Sequence, residues 1–150
     1  MQLTFTKGAG KYDRLDIVTD AGPQPAIGCP KQGIIPHDMV HFAVEAEVDT
    51  IGFLGGIAAG GGTGFTAGDD DPHHRAVERL VETVQAEAWG GAPVAAAEFL
   101  ALDRVTCDAR GDAPLALDTA TLAAIRARLA DLTARWTAVP VGGTLVVSLG

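Results

Sequence analysis

The sequence predicts an α+β fold, in which a small antiparallel sheet is packed by about four helices. Three observations predict it. Short alternating strands separated by turn residues open the chain, helical apolar spacing fills its middle, and one alternating strand closes it.

Gln2 to Thr6 alternates, with Leu3 and Phe5 on one side. Lys7 to Lys11 is a glycine-bearing turn, and Arg14 to Thr19 is a second strand with Leu15 and Ile17 on one face. Asp20-Ala21-Gly22-Pro23 turns the chain again. Pro25 to Cys29 reads as a short third strand, placed at an edge by its flanking prolines. These three form a meander.

Pro36 suits the first turn of a helix, where its missing N–H costs nothing, and the helix is predicted over 36–49. Met39, Phe42, Ala43 and Ala46 make one apolar face. His37, His41 and Glu45 lie on roughly the other side, interleaved with Val44 and Val48. A helix with apolar residues nearly all round is a buried one, so its polar stripe points into something other than bulk water.

Eight of the seventeen residues from Gly52 to Gly68 are glycine. This predicts a small-residue helix over 53–59 and then a loop, a flap or close-packed segment beside the histidine helix. Phe53, Leu54 and Phe65 give it apolar contacts with which to cover a pocket or a partner subunit.

Asp69-Asp70-Asp71-Pro72 is a helix start, with an acidic N-cap and proline in the first turn. The helix over 72–89 buries Val77, Leu80, Val81, Val84 and Ala88, and Gly90-Gly91 ends it. A third helix is predicted over 93–107, around Phe99, Leu100, Leu102 and Val105. Asp118 caps a fourth, whose stripe of Leu122, Ile125, Leu129, Leu132 and Trp136 repeats at three and four residues. Thr144 to Leu149 is the last strand, returning to the sheet. No repeat or linker divides the 150 residues, which read as one domain, 1–150.

Charge excludes some functions. A net charge of −8 and a pI of about 4.7 leave no basic face for phosphates, so neither nucleic acid nor an anionic membrane surface is an expected partner. The longest uncharged run, 51–67, is glycine-rich and short for a membrane span. Met1 is not followed by a basic start and an apolar run, so no signal peptide is expected. Cys29 and Cys107 form no CxxC pair and are expected to be reduced thiols in a cytoplasmic protein.

Chemistry concentrates in His37-Asp38-Met39-Val40-His41. Two histidines four residues apart on a helix share a face and can grip one divalent transition metal ion such as zinc. The five residues are similar to the HExxH motif of zinc hydrolases, in which the middle glutamate activates the metal-bound water. Asp38 stands in that place with a shorter side chain, and no third ligand follows at a spacing of that family, so its activity is not carried over.

Glu45 shares the histidine face. It lies about 12 Å from His37 along the axis, so this helix does not complete a metal site alone. Cys29, eight residues before His37, and His73 and His74 at the start of the next helix are further candidate ligands. The dipole at a helix N-terminus disfavours imidazolium, and neutral imidazole is the form that binds metal.

Two other chemistries have weaker signals. Cys29 could serve as a nucleophile with His37 or His41 as base, against the plainer role of a small buried residue at a strand end. Gly8-Ala9-Gly10-Lys11 is followed by Tyr12 where an ATPase loop needs Ser or Thr, and Gly60 to Gly64 opens no dinucleotide-binding unit, so no nucleotide is expected.

The expected function is a metal- or small-molecule-binding pocket on helix 36–49, with metal-assisted hydrolysis as the first catalytic class. Its rival is a non-catalytic interaction module, a homodimer or other homo-oligomer, whose histidines are structural.

Overall fold

A computed structural model describes residues 1–63 and 70–150. Strands β1 (Gln2–Thr6) and β2 (Tyr12–Thr19) pair antiparallel, with Leu3 opposite Ile17 and Phe5 opposite Leu15. This register puts all four apolar side chains on one face, as period-two alternation demands. A two-residue strand, β3 (Gly22–Pro23), pairs with the end of β2, and β4 (Ile27–Pro30) pairs with its beginning. The last strand, β5 (Thr144–Ser148), lies antiparallel on the other side of β1 and sets Leu145 against Phe5 and Val147 against Leu3. The fold class is α+β, as the sequence predicts.

Five helices are described: α1 (His37–Glu45), α2 (Phe53–Ala58), α3 (Pro72–Gly90), α4 (Ala96–Arg110) and α5 (Thr119–Ala138). The fifth beyond the expected four is α2, the small-residue helix read from the glycine-rich stretch. The inner sheet residues share one core with Met39, Val40 and Phe42 of α1, Val77, Leu80 and Val81 of α3, and the α5 stripe. From Asp38 to Glu45 every residue of α1 is buried, which is what an apolar surface nearly all round requires. Caps follow the expected chemistry: Asp71 accepts from the His73 amide and Asp118 from the Thr121 amide.

Several boundaries moved. α1 ends at Glu45 instead of 49, and α4 runs on to Arg110 instead of 107. β2 begins two residues early, because Asp13 sits in the β4 ladder opposite Cys29 and its carboxylate accepts the Gly8 amide. The third long strand lies at 27–30 instead of 25–29, since Pro25 offers no N–H to a ladder. α4 begins at Ala96 instead of 93. Glu87 accepts the Val94 amide and Arg126 donates to the Val94 carbonyl, which holds the preceding segment outside the helix. Phe65 and Asp69, read as a covering residue and as part of a helix cap, lie outside the described residues.

Candidate metal centre

α1 and α3 pack against each other in antiparallel sense, so that the start of α1 meets the later turns of α3. His37 and His41, one turn apart on α1, both reach Glu78 of α3. His41 Nε2 lies 3.0 Å from Glu78 Oε2, and His37 Nε2 lies 3.5 Å from Glu78 Oε1. The two imidazoles meet edge to face, with centroids 4.8 Å apart. His37, His41 and Glu78 form the one group of three among the described residues whose ligand atoms converge on a common point, all within 4.8 Å of one another. Bonds of about 2.1 Å place donor atoms roughly 3.4 Å apart in a tetrahedral site, so the group would draw in by about an ångström around an ion. The Glu78 and His37 side chains are about one-third exposed, at 34% and 38%, and have room for that adjustment; His41, at 3%, is fixed.

The other nitrogen of each ring is also held. His41 Nδ1 donates to Glu45 Oε2 at 3.1 Å, and His37 Nδ1 donates to the Gln85 amide oxygen at 2.9 Å. An acceptor on Nδ1 sets the tautomer that leaves Nε2 free, and it orients the ring. The Gln85 oxygen also accepts from Gln32, and the Trp89 indole N–H donates to the Gln32 carbonyl. Glu45 is therefore a partner of a candidate ligand and stands behind His41.

Glu45 also ties this site to α2. Its carboxylate accepts the backbone amides of Leu54 and Gly55, two of the donors that a helix start leaves unpaired. Phe53 lies over His41 with centroids 5.8 Å apart. The approach is so close that a Cβ on Gly52 would stand 2.6 Å from the Glu45 carboxyl carbon, and one on Gly56 would stand 2.9 Å from the His74 ring. Here the glycines are needed for backbone to reach side chain.

Burial alone would lower the pKa of His41, but hydrogen bonds to Glu45 and Glu78 outweigh it and push the ring up to about 10. The same competition, won chiefly by Glu78, raises His37. Burial would raise Glu78, and the two histidines instead hold its carboxyl far below the usual carboxylate range. Without an ion, the contacts to Glu45 and Glu78 thus favour the protonated His41 ring.

The group opens into a cavity of about 350 Å³ whose walls include Ile27, Cys29, Asp38, Phe53, His74 and Arg79. The structure sets Cys29 against Asp38, with Sγ donating to Oδ2 at 3.3 Å, and outside the histidine group. Burial, and then the Asp38 and Asp13 carboxylates, raise the thiol well above its ordinary value. That is the reverse of the cationic surroundings an activated thiolate needs. His74 lines the cavity without joining the group, and His73 is exposed and does not line it.

The sequence alone does not distinguish Glu78 and Gln85. Their one signal is a separation of seven residues, two turns, on the flank of the Val77-Leu80-Val81-Val84 stripe. Exposed polar residues on any amphipathic helix share that spacing, so only the packing of α3 on α1 distinguishes them. The chain matches no known family model, no curated protein and no solved structure.

Proposed function

We propose that the protein binds one divalent transition metal ion through His37 Nε2, His41 Nε2 and the Glu78 carboxylate, at the wall of a cavity that admits a small molecule. The observation that carries this reading is the paired orientation of the rings. Two imidazoles expose Nε2 to one carboxylate while Glu45 and Gln85 hold their Nδ1 atoms. Two histidines and one carboxylate suit zinc in hydrolytic sites and iron(II) in oxygen-dependent ones, both with coordination positions left open. The first activity to test is metal-assisted hydrolysis, in which the ion activates a water and Asp38, on the cavity wall, is the candidate base.

A second reading has its own support. The His41 imidazolium between Glu45 and Glu78 satisfies a buried charge without any ion, and such a network can be purely structural. Metal analysis separates the two. Protein purified without a histidine tag is expected to carry about one equivalent of a transition metal, lost in the His37→Ala, His41→Ala double variant. Protein that takes up no zinc, cobalt or iron, and whose melting temperature is the same with and without chelator, refutes the metal reading.

A further inference from the structure

Strand β5 is an edge of the sheet, with β1 on one side and no described strand on the other. Its register fixes which backbone groups face outwards. Met1 and Leu149 exchange both backbone hydrogen bonds, so by antiparallel alternation Leu3 with Val147 and Phe5 with Leu145 do the same. Thr144, Val146 and Ser148 therefore turn their N–H and C=O groups away from β1. Among the described residues these groups have no hydrogen-bond partner. Such a row is a template for another strand.

The two edges of the sheet differ. On the far side, β3 and β4 are two and four residues long, and each contains a proline, which removes a donor and blunts the edge. β5 has neither proline nor charge, and residues 136–150 contain no Asp, Glu, Lys, Arg or His. In a chain of net charge −8, two copies can meet along this stretch without opposing like charges.

The strand also matches itself. Antiparallel pairing about Val146 sets Val146 opposite Val146 and Thr144 opposite Ser148, with about six backbone hydrogen bonds between the outward groups. On the outer face this gives a β-branched pair flanked by hydroxyl pairs, both favourable across strands. On the inner face Leu145 meets Val147. These two are 5% and 8% exposed where Leu3 and Phe5 are 0%, which is the exposure an open edge leaves and a further strand covers.

We propose that the open edge of β5 pairs with β5 of a second copy, antiparallel about a two-fold axis at Val146, to form a dimer with one continuous sheet. The cavity beside His37 and His41 is walled by Ile27 to Pro30 of β4, at the opposite edge, and stays open in this dimer.

The test is sedimentation of the full chain across the micromolar range. Wild-type protein is expected to be a dimer at the upper end of that range. Val146→Pro removes an outward N–H and leaves the β1 ladder whole, so this variant is expected to be monomeric. Val146→Lys and Val146→Glu oppose like charges across the axis and are each expected to be monomeric, whereas an equimolar mixture of the two is expected to dimerise. These two variants change a side chain that is 47% exposed, and they decide the matter if Val146→Pro does not fold. Wild-type protein that stays monomeric throughout overturns the proposal, as does a dimer that persists in Val146→Pro or Val146→Lys. Charged variants that are monomeric alone and remain so when mixed overturn it too, because position 146 would then not face itself.

Discussion

Two of the helices packed on α1, α5 and α3, treat it in opposite ways. Towards α5 the contact is apolar, sharing a core with Leu122, Ile125, Leu129 and Leu132; Arg128 closes its rim over Phe42 and pairs with Glu47. Towards α3 it carries His37, His41, Glu78 and Gln85, every one of them hydrogen-bonded or ion-paired across the seam. Apolar burial stabilises at about 25 cal/mol per Å² whatever the local geometry. A buried charge network gains little net stability and depends sharply on placement. The apolar contacts of α1, to α5 and to Val77, Leu80 and Val81 of α3, account for the fold, and the polar stripe facing α3 is where the proposed ion would bind.

Four changes would break or sharpen that contrast. The largest effect is expected in the apolar seam. Ile125→Ala removes a fully buried side chain from the α5 stripe and should cost roughly 2–5 kcal/mol in chemical denaturation, with metal affinity of the folded protein unchanged. Loss of metal affinity in that variant would show that the seams are not separable.

Glu78→Gln should do the reverse. It keeps the side-chain shape and removes the anionic ligand, so metal affinity should fall by more than about a hundredfold, read by competition with a chromogenic chelator. An unchanged affinity would exclude Glu78 as a ligand.

The pH dependence comes next. His41, raised from its ordinary 6.5, contributes stability that is whole below that value and lost as pH rises through about 10. Glu78, lowered from 4.5, contributes stability that is whole above that value and lost as pH falls below it. The two shifts report one contact from both sides and count once. The metal-free protein should therefore melt highest between these limits. Because an ion must displace the His41 proton, metal affinity should rise about tenfold per pH unit, or roughly a hundredfold from about pH 7 to pH 9. A flat affinity profile would mean that His41 is not a ligand.

The smallest effect is expected from Gln85→Leu. This removes the acceptor on His37 Nδ1, and metal affinity should fall about tenfold with little change in melting temperature. Equal losses of stability and affinity would mark Gln85 as a structural residue only.

The legible parts of the fold were those with local causes. The alternation of Leu3, Phe5, Leu15 and Ile17, the α5 stripe, and the Asp71-Pro72 and Asp118 helix starts follow from strand and helix periods and from unpaired amides. Each occupies a few neighbouring residues. Two of the boundaries that moved depended on distant partners: β2 lengthened because β4 pairs with it, and α4 starts later because Glu87 and Arg126 hold Val94.

The candidate site divides in the same way. His37 and His41 stood out because two histidines one turn apart on a buried helix are visible in any reading of the sequence. Their neighbours did not, because nothing local separates Glu78 from Glu82 or Gln85 from Gln32. Glu45 was visible, but in the wrong relation. Axial distance showed that it does not share an ion with His37, and the structure shows its carboxylate joining His41 to the start of α2.

By itself, the sequence determined the α+β class, the buried helix with its histidine stripe, and the insufficiency of that helix as a metal site. All three follow from periodicity and rise per residue, which are properties of a single element. What stands opposite the histidines was decided only by tertiary structure. The antiparallel packing of α1 on α3 brings Glu78 and Gln85 to His37 and His41 across more than thirty residues of chain, and it leaves Cys29 with Asp38. A convergent site depends on how two helices meet, and helical period does not encode that meeting.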